Sequence, residues 1–391
     1  VCALPIWAAF VTSGDVTNPL VSTAWATLPD LQAKIDAAAD NATITLDSNT
    51  EIAATLQITK NLTLDLNGCT LRMTGTGSVL KVSGRATLTI TDSSAAKSGT
   101  ITGGNAEYGG GVYVDDYAAL KMTGGCITGC HASRGGGGIY SSGNLYMGGT
   151  AKIEKCTGSD DAIWNRENSD IYADGGTVDG TVNNQGTIKR SEGAAAVTVF
   201  NGTVYNRSAG TIIAGIYNGT VENNGTISGG TFCGGVTIRK GSWVWERTGS
   251  ISGGTFYSSI VNEAGPERVT GVTFAVTFDR GDGTKTEPTP VKYNDLVPKP
   301  TAPTKSGYTF TGWEDANGAY DFNTPVTGPL TLTAKWEKVP SSGGNYYYHP
   351  TTDTKADDAK GSPKTADPGV ALYAALSLLS LTGLTCTTKK R

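Results

Sequence analysis

Apolar residues alternate with polar ones in short bursts along most of this chain, and the bursts are too brief for helices. Ile44-Thr-Leu46, Leu56-Gln-Ile58, Leu62-Thr-Leu64-Asp-Leu66 and Leu71-Arg-Met73 each follow a period of two, the signature of a strand with one face buried. Turn residues such as Asn67-Gly68 separate them. Strands this short need many neighbours. The bursts also recur. Gly109-Gly-Gly-Val-Tyr113 returns as Gly136-Gly-Gly-Ile-Tyr140, and Leu120-Lys-Met122 returns at a similar spacing as Leu145-Tyr-Met147. Ser228-Gly-Gly-Thr-Phe232 returns as Ser252-Gly-Gly-Thr-Phe256, and Asn183-Asn-Gln-Gly-Thr-Ile188 has a counterpart in Asn223-Asn-Gly-Thr-Ile227. A repeat of roughly 25 residues, with apolar side chains pointing in and Gly or Asn at corners, predicts a parallel β-helix. The rival is a β-sandwich, which would show longer separate strands without such a repeat. Leu28 to Ala39 departs from the alternation: Leu31, Ile35 and Ala38 have helical spacing, which predicts a helix capping the first coil and covering its strand edge. Cap and solenoid together occupy residues 28–271.

Thr43 to Gly75, TITLDSNTEIAATLQITKNLTLDLNGCTLRMTG, resembles the opening coils of right-handed pectate-lyase-like β-helix proteins, which implies a right-handed solenoid. Composition agrees with a turn-rich fold. Glycine supplies 53 of 391 residues with no collagen-like period of three. With 31 Lys+Arg against 35 Asp+Glu the net charge is −4, which argues against a nucleic-acid partner. His131 and His349 are the whole histidine complement, which disfavours a His-rich zinc site or a Ser-His-Asp triad. Seven cysteines, Cys2, Cys69, Cys126, Cys130, Cys156, Cys233 and Cys386, are too scattered for a disulfide framework; Cys126 and Cys130 have only His131 near them and Cys156 much later, which disfavours a zinc site. No metal or cofactor is expected. Cys126, Cys130 and Cys156 fall within coils and Asn183 and Asn223 at corners, where stacked ladders are structural.

Proteins with the resembling fold include polysaccharide lyases and glycoside hydrolases, which need converging carboxylates or a base beside bound calcium. Asp115-Asp116 and Asp160-Asp161 are the acidic candidates, with Arg134 and Lys121 as neighbouring cations. Adjacent residues on a strand face opposite ways, so neither pair makes a site by itself, and no catalytic residue is assigned. Trp243-Val-Trp245 places two indoles on one side of a strand, with Phe256 and Tyr257 following. Trp243, Trp245 and Tyr257 are the candidate platform for stacking sugar rings; the alternative is that they close the end of the core.

After Gly271 proline becomes common and the Gly-Thr theme stops. Val276-Thr-Phe-Asp279, Gly281, Gly283, the Pro300 to Pro303 run, Gly307-Tyr-Thr-Phe-Thr-Gly-Trp313, Phe322, Leu330-Thr-Leu332 and Ala334-Lys-Trp336 closely resemble the internalin-type B repeat of bacterial surface proteins. The resemblance implies a small β-grasp-like stalk or adhesion module over residues 272–338. Tyr308, Phe310, Trp313, Phe322 and Trp336 are expected to supply its core. Residues 339–367, with SSGG, Tyr346 to Tyr348 and mixed charges, read as a disordered spacer.

Val370 to Thr388 is an uncharged span close to bilayer length, followed by Lys389, Lys390 and Arg391, so residues 368–391 read as a transmembrane helix with a basic tail. Just before it stand Ser362, Pro363, Lys364, Thr365 and Ala366. The three parts together resemble the cell-wall sorting signal of Gram-positive surface proteins, an LPxTG-like pentapeptide, a hydrophobic span and a basic tail. Pro363 and Thr365 match the pentapeptide; Ser362 and Ala366 depart from it, which leaves the sortase class open. The resemblance implies cleavage between Thr365 and Ala366 and transfer to a cell-wall amine, with sortase and peptidoglycan as partners. Residues 1–27, opening on the apolar run Val1 to Phe10 without basic residues ahead of it, read as a truncated leader or a foreign flank. The chain therefore reads as a wall-anchored adhesin or interaction protein facing host or microbial glycans and surface proteins. A surface-tethered polysaccharide-degrading enzyme and a structural stalk are the alternatives.

Overall fold

The computed structural model describes residues 31–158, 162–241 and 248–340. The main body is a parallel β-helix with three faces. Ala42–Thr45, Thr50–Ile52 and Leu56–Ile58 form the first coil, one strand on each face. The next coil continues each in parallel, with Ile44 opposite Leu64, Ile52 opposite Met73 and Ile58 opposite Val82. The third face carries ten strands, from Leu56–Ile58 to Ile260–Asn262. Asn144–Glu154 and Asp170–Asp179 run continuously through the corner between the first and second faces.

The repeats in the sequence are coil registers. Val112 lies opposite Ile139, Leu120 opposite Leu145 and Phe232 opposite Phe256. The period is not constant, however: Leu80 pairs with Val112, whereas Val221 pairs with Val236, less than half as far along the chain. The difference sits in the turns. The longer coils insert an extra strand, and Asn105–Tyr108, His131–Gly135 and Thr157–Gly158 pair into a small side sheet.

Equivalent side chains stack in columns through the core. On the first face Leu62, Leu88, Leu120, Leu145, Ile171, Ile188, Ile212, Ile227 and Ile251 follow one another in register, and all are buried. On the second face an aliphatic column gives way to rings at Phe200, Tyr217, Phe232 and Phe256, stacked 5.0, 4.9 and 4.7 Å apart. That spacing follows the inter-strand distance and falls within the range of favourable aromatic stacking. On the third face Asn165, Asn184, Asn206 and Asn223 form a buried amide ladder, each Nδ2 donating to the next Oδ1 at 2.9, 2.8 and 2.7 Å. The inward member of the Asn-Asn pair is therefore Asn184. Asn183 faces outward and accepts a hydrogen bond from Arg207 Nε at 3.2 Å. Cys126 and Cys130 are buried and Cys156 is half-buried, all three within the coils.

Both ends of the solenoid are closed. The helix Leu31–Ala37 buries Leu31 and Ile35 over the first coil. Its Gln32 side chain imitates a strand: Oε1 accepts from Gln57 N at 2.8 Å and Nε2 donates to Gln57 O at 3.1 Å. The Lys60 ammonium donates to the Asp36 and Ala38 carbonyls at 2.7 and 2.9 Å, taking up acceptors that a helix C-terminus leaves free.

At the other end lies a five-stranded sheet in the order Thr289–Lys292, Thr273–Asp279, Leu330–Lys338, Tyr308–Asp315, Gly318–Ala319. Its one parallel pair joins Val276 to Leu330, and the described residues 273–338 contain no helix. The expected aromatic core requires correction. Of Tyr308, Phe310, Trp313, Phe322 and Trp336, Trp313 alone is buried, at 5% exposure, and Tyr308 is 39% exposed. The buried face is built instead from Phe274, Val276, Phe278, Val291, Val297, Val326, Leu332 and Ala334. A register shift between Phe310 and Gly312 interrupts the pairing of that strand, and Phe310, Trp313 and Trp336 gather as an edge-to-face cluster at 5.4 and 5.6 Å. The sheet abuts the last coil. Ile260 N donates to Thr327 O at 2.8 Å, and Phe274 meets Phe256 edge-on at 6.4 Å. Among the described residues no helix is long and apolar enough to cross a membrane; the expected span at 370–388 lies outside them.

Replacing Asn206 by Leu removes the acceptor of Asn184 and the donor to Asn223 in a buried site. The expected cost is about 2–4 kcal/mol, read as a lower urea midpoint. Thr226→Ala, at an exposed position of the strand Thr226–Ile227, should stay within about 1 kcal/mol of the parent. Equal midpoints for the two variants would mean that the ladder contributes nothing.

Candidate binding site

Turn length alternates along the corner where the third face passes into the first. Residues 115–118, 166–169 and 207–210 make four-residue turns, and 142–143, 185–186 and 224–225 make two-residue turns. Each short turn ends in a glycine pressed against the longer turn of the preceding coil. A Cβ on Gly143, Gly186 or Gly225 would overlap the carbonyl oxygen of Ala118, Ser169 or Gly210 respectively. At these glycines the backbones of successive coils touch.

The turn at 142–143 is flanked by two longer ones, which leaves a notch of about 430 Å³. Asp116 and Tyr117 line it from one side, Ser142, Gly143 and Asn144 form its floor, and Arg166, Glu167 and Asn168 line the other side. Tyr117 adopts φ 63° and is 81% exposed at the rim, with the Arg85 guanidinium 5.7 Å from its ring centre. Neighbouring charges are paired: Lys81 with Asp115 at 3.8 Å, and Arg134 with Glu107 at 2.8 Å. Asp116, Arg166 and Glu167 form no ion pair among the described residues.

Two residues before these turns, the third-face strands present a row of rings. Tyr113 stacks on Tyr140 at 5.0 Å, and Tyr140 meets Trp164 at 6.2 Å. Tyr108, from the side sheet, closes on Tyr140 at 4.8 Å and Trp164 at 6.1 Å. The indole lies on bare backbone at Gly135, where a Cβ would overlap the ring. Its Nε1 is buried without a hydrogen-bond acceptor among the described residues. The row ends one residue short of the turns that carry Asp115, Ser142 and Arg166, of which Ser142 and Arg166 line the notch. Burial raises the Tyr113 hydroxyl pKa, Tyr140, Asp115 and Asp116 add to the shift, and Arg166 opposes it. That phenol therefore stays protonated at neutral pH.

The notch combines the exposed Tyr117 ring with two carboxylates, a guanidinium, amides and a hydroxyl, its charged groups forming no ion pair among the described residues. It is equipped to hold a polar ligand with an apolar face. Of the residues singled out in the sequence, Asp116 lies in the notch, while Asp115 turns to Lys81. Arg134 is engaged with Glu107, and Lys121 stands on the first face in register with Tyr146. Tyr257 is 61% exposed and directly follows Phe256 on the second face, away from the notch. Trp243, Trp245, Asp160, Asp161 and Ser362 to Ala366 lie outside the described residues. Sequence reasoning missed Tyr117, Arg166 and Glu167. Their signal is positional, since they occupy the longer turns on either side of a shorter one. Among the described residues no cluster of three or more His, Cys, Asp or Glu is placed to hold a metal.

Residues 274–335 match the model of the Listeria-Bacteroides repeat domain. Internalin H of Listeria monocytogenes is 36% identical over 95 residues, covering 23% of this chain and 16% of that protein. A putative Gly-rich membrane protein of Evansella cellulosilytica is 35% identical over 68 residues, covering 16% of this chain and 8% of that protein. The chain thus spans less than a fifth of the length of either relative. No solved structure matches it.

Gly143→Ala should destabilise the protein by about 1–3 kcal/mol through overpacking, read as a lower melting temperature. Gly148→Ala, where a Cβ meets its nearest atom, Met122 O, at 3.7 Å, should be tolerated. Equal melting temperatures would mean that close packing does not hold the turn at 142–143 short.

Proposed function

We propose that the chain, carrying an internalin-type repeat, is a bacterial surface protein that works by interaction, with the β-helix as its presenting body. The observation that carries this reading is the match of residues 274–335 to the Listeria-Bacteroides repeat domain, within a stretch similar to Internalin H. The contact surface is the notch with Tyr117 at its rim, where Asp116, Arg166 and Glu167 form no ion pair among the described residues. Anchoring runs through Ser362, Pro363, Lys364, Thr365 and Ala366. A sortase thiolate attacks the Thr365 carbonyl, the segment from Ala366 leaves with the amide nitrogen protonated, and a cell-wall amine then displaces the thiolate. The partners are accordingly sortase, peptidoglycan, and a glycan or protein on a facing surface. A second reading, a surface-tethered polysaccharide-degrading enzyme, is favoured by one observation: Asp116 and Glu167 put two carboxylates into the same notch.

In a sortase-bearing Gram-positive host, Thr365→Ala should move the protein from the wall fraction to the membrane or the medium. The measurement is immunoblotting of fractionated cells. Unchanged release by muramidase from the wall would overturn the anchoring.

A further inference from the structure

Two core-facing thiols stand one coil apart in the same setting. Cys130 directly precedes the strand His131–Gly135 and Cys156 directly precedes Thr157–Gly158, and these strands pair in parallel in the side sheet, His131 opposite Thr157. Each sulfur lies over the carbonyl two residues back, Thr128 O at 3.6 Å and Glu154 O at 3.4 Å. Each also lies over a carbonyl of the preceding coil, Ile101 O at 4.0 Å and Ile127 O at 3.6 Å. The two cysteines are therefore translated copies of one another. Thr157 N donates to Cys130 O at 2.9 Å and fixes their backbones side by side. Parallel strands place such neighbours ~4.8 Å apart, inside the roughly 4.4–6.8 Å range of Cα separations that a disulfide spans. Side-chain torsions, not the backbone, have to move to bring the sulfurs to bonding distance.

The thiols also act on each other. The hydrogen bond from Cys156 lowers the Cys130 pKa against the effect of burial, and the same contact, together with burial, raises that of Cys156. The other cysteines within the coils have no such partner in register. Cys69 lies over Leu46 O and Asn67 O in the same way, but Thr100 N donates to its carbonyl, which puts Gly99 beside it. Cys126 stands opposite Thr100 and Lys152. We infer that Cys130 and Cys156 form a disulfide, a covalent site that clamps two successive coils at the root of the side sheet. The oxidant is a small disulfide, R–S–S–R, which meets the half-buried Cys156 first because Cys130 is 1% exposed. Cys156 gives up its proton and takes one sulfur, leaving Cys156–S–S–R and RSH. The Cys130 thiolate then attacks the Cys156 sulfur and expels the second RS−, which is protonated. The pair thus loses two electrons and two protons, and the oxidant becomes two RSH. This site goes beyond the proposed function and needs neither the notch nor the anchor.

The test incubates the native full chain with oxidised glutathione, blocks the remaining thiols with N-ethylmaleimide and maps tryptic peptides without reduction. The peptide 122–134 should be joined to 156–166, with fragmentation placing the link between Cys130 and Cys156, and reduction should remove it. Cys126→Ala should keep the link, whereas Cys130→Ala and Cys156→Ala should abolish it. Oxidation should slow hydrogen exchange of His131–Gly135 and Thr157–Gly158 by roughly tenfold or more in the parent, and should leave it unchanged in Cys156→Ala. The map of the parent chain decides the pairing even where a variant fails to fold. Alkylation of both thiols in the oxidised native chain, a link through Cys126, a link that forms only in denaturant, or unchanged exchange in the linked chain would overturn the inference.

Discussion

The structure depends on one interaction, the parallel backbone hydrogen-bond ladder that stacks each coil on the last. It fixes a spacing of ~4.8 Å between equivalent residues, and side chains at one register position must then pack against copies of themselves. That constraint explains why the core is organised in columns. Leu and Ile tolerate such stacking by dispersion contacts. Phe200, Tyr217, Phe232 and Phe256 stack as near-parallel rings one coil apart. Asn165, Asn184, Asn206 and Asn223 turn the same repetition into a run of amide hydrogen bonds, so burying four polar side chains adds order instead of a desolvation penalty.

A ladder that extends by repetition also has two open ends, and both are closed by groups outside the repeat. Gln32 supplies donor and acceptor atoms to the free edge at Gln57, and the loop leading into Leu330–Lys338 supplies Thr327 O to Ile260 N. The C-terminal module is therefore more than a spacer: it meets the last ring of the aromatic column through Phe274. The one quantity the ladder leaves free is the length of the turns. Alternating four-residue and two-residue turns at one corner carve a notch without disturbing any strand register, which is how a uniform solenoid acquires a local site.

Much of the fold was legible in the sequence because motif recurrence equals register. Gly109 to Tyr113 and Gly136 to Tyr140 are neighbours in space for the reason that they are alike in sequence. Helical spacing at Leu31 and Ile35 marked the cap for the same kind of reason, one residue per turn facing the coil below. Other features were hidden by parity or by relative length. In Asn183-Asn184 the pattern does not say which amide faces in, and the ladder fell on Asn184. In the C-terminal module the large aromatics suggested the core, yet Val and Leu take most of its centre, with Trp313 buried among them and Phe310, Phe322 and Trp336 half-buried against it. The notch was invisible because a turn of two residues means nothing until the turns above and below it are known to have four. Arg166 and Glu167 carry no motif; they matter through Gly143, which sits one coil away.

The most direct test of this account is hydrogen exchange of the full chain, resolved by peptide, because it asks whether the ladder and its closures form one body. Third-face strands from Leu56–Ile58 to Ile260–Asn262 should be protected together, and Ile260 should open with Thr273–Asp279 and Thr327. Exchange of the five-stranded sheet on its own, with the last coil remaining fully protected, would contradict the claim that the module closes the solenoid.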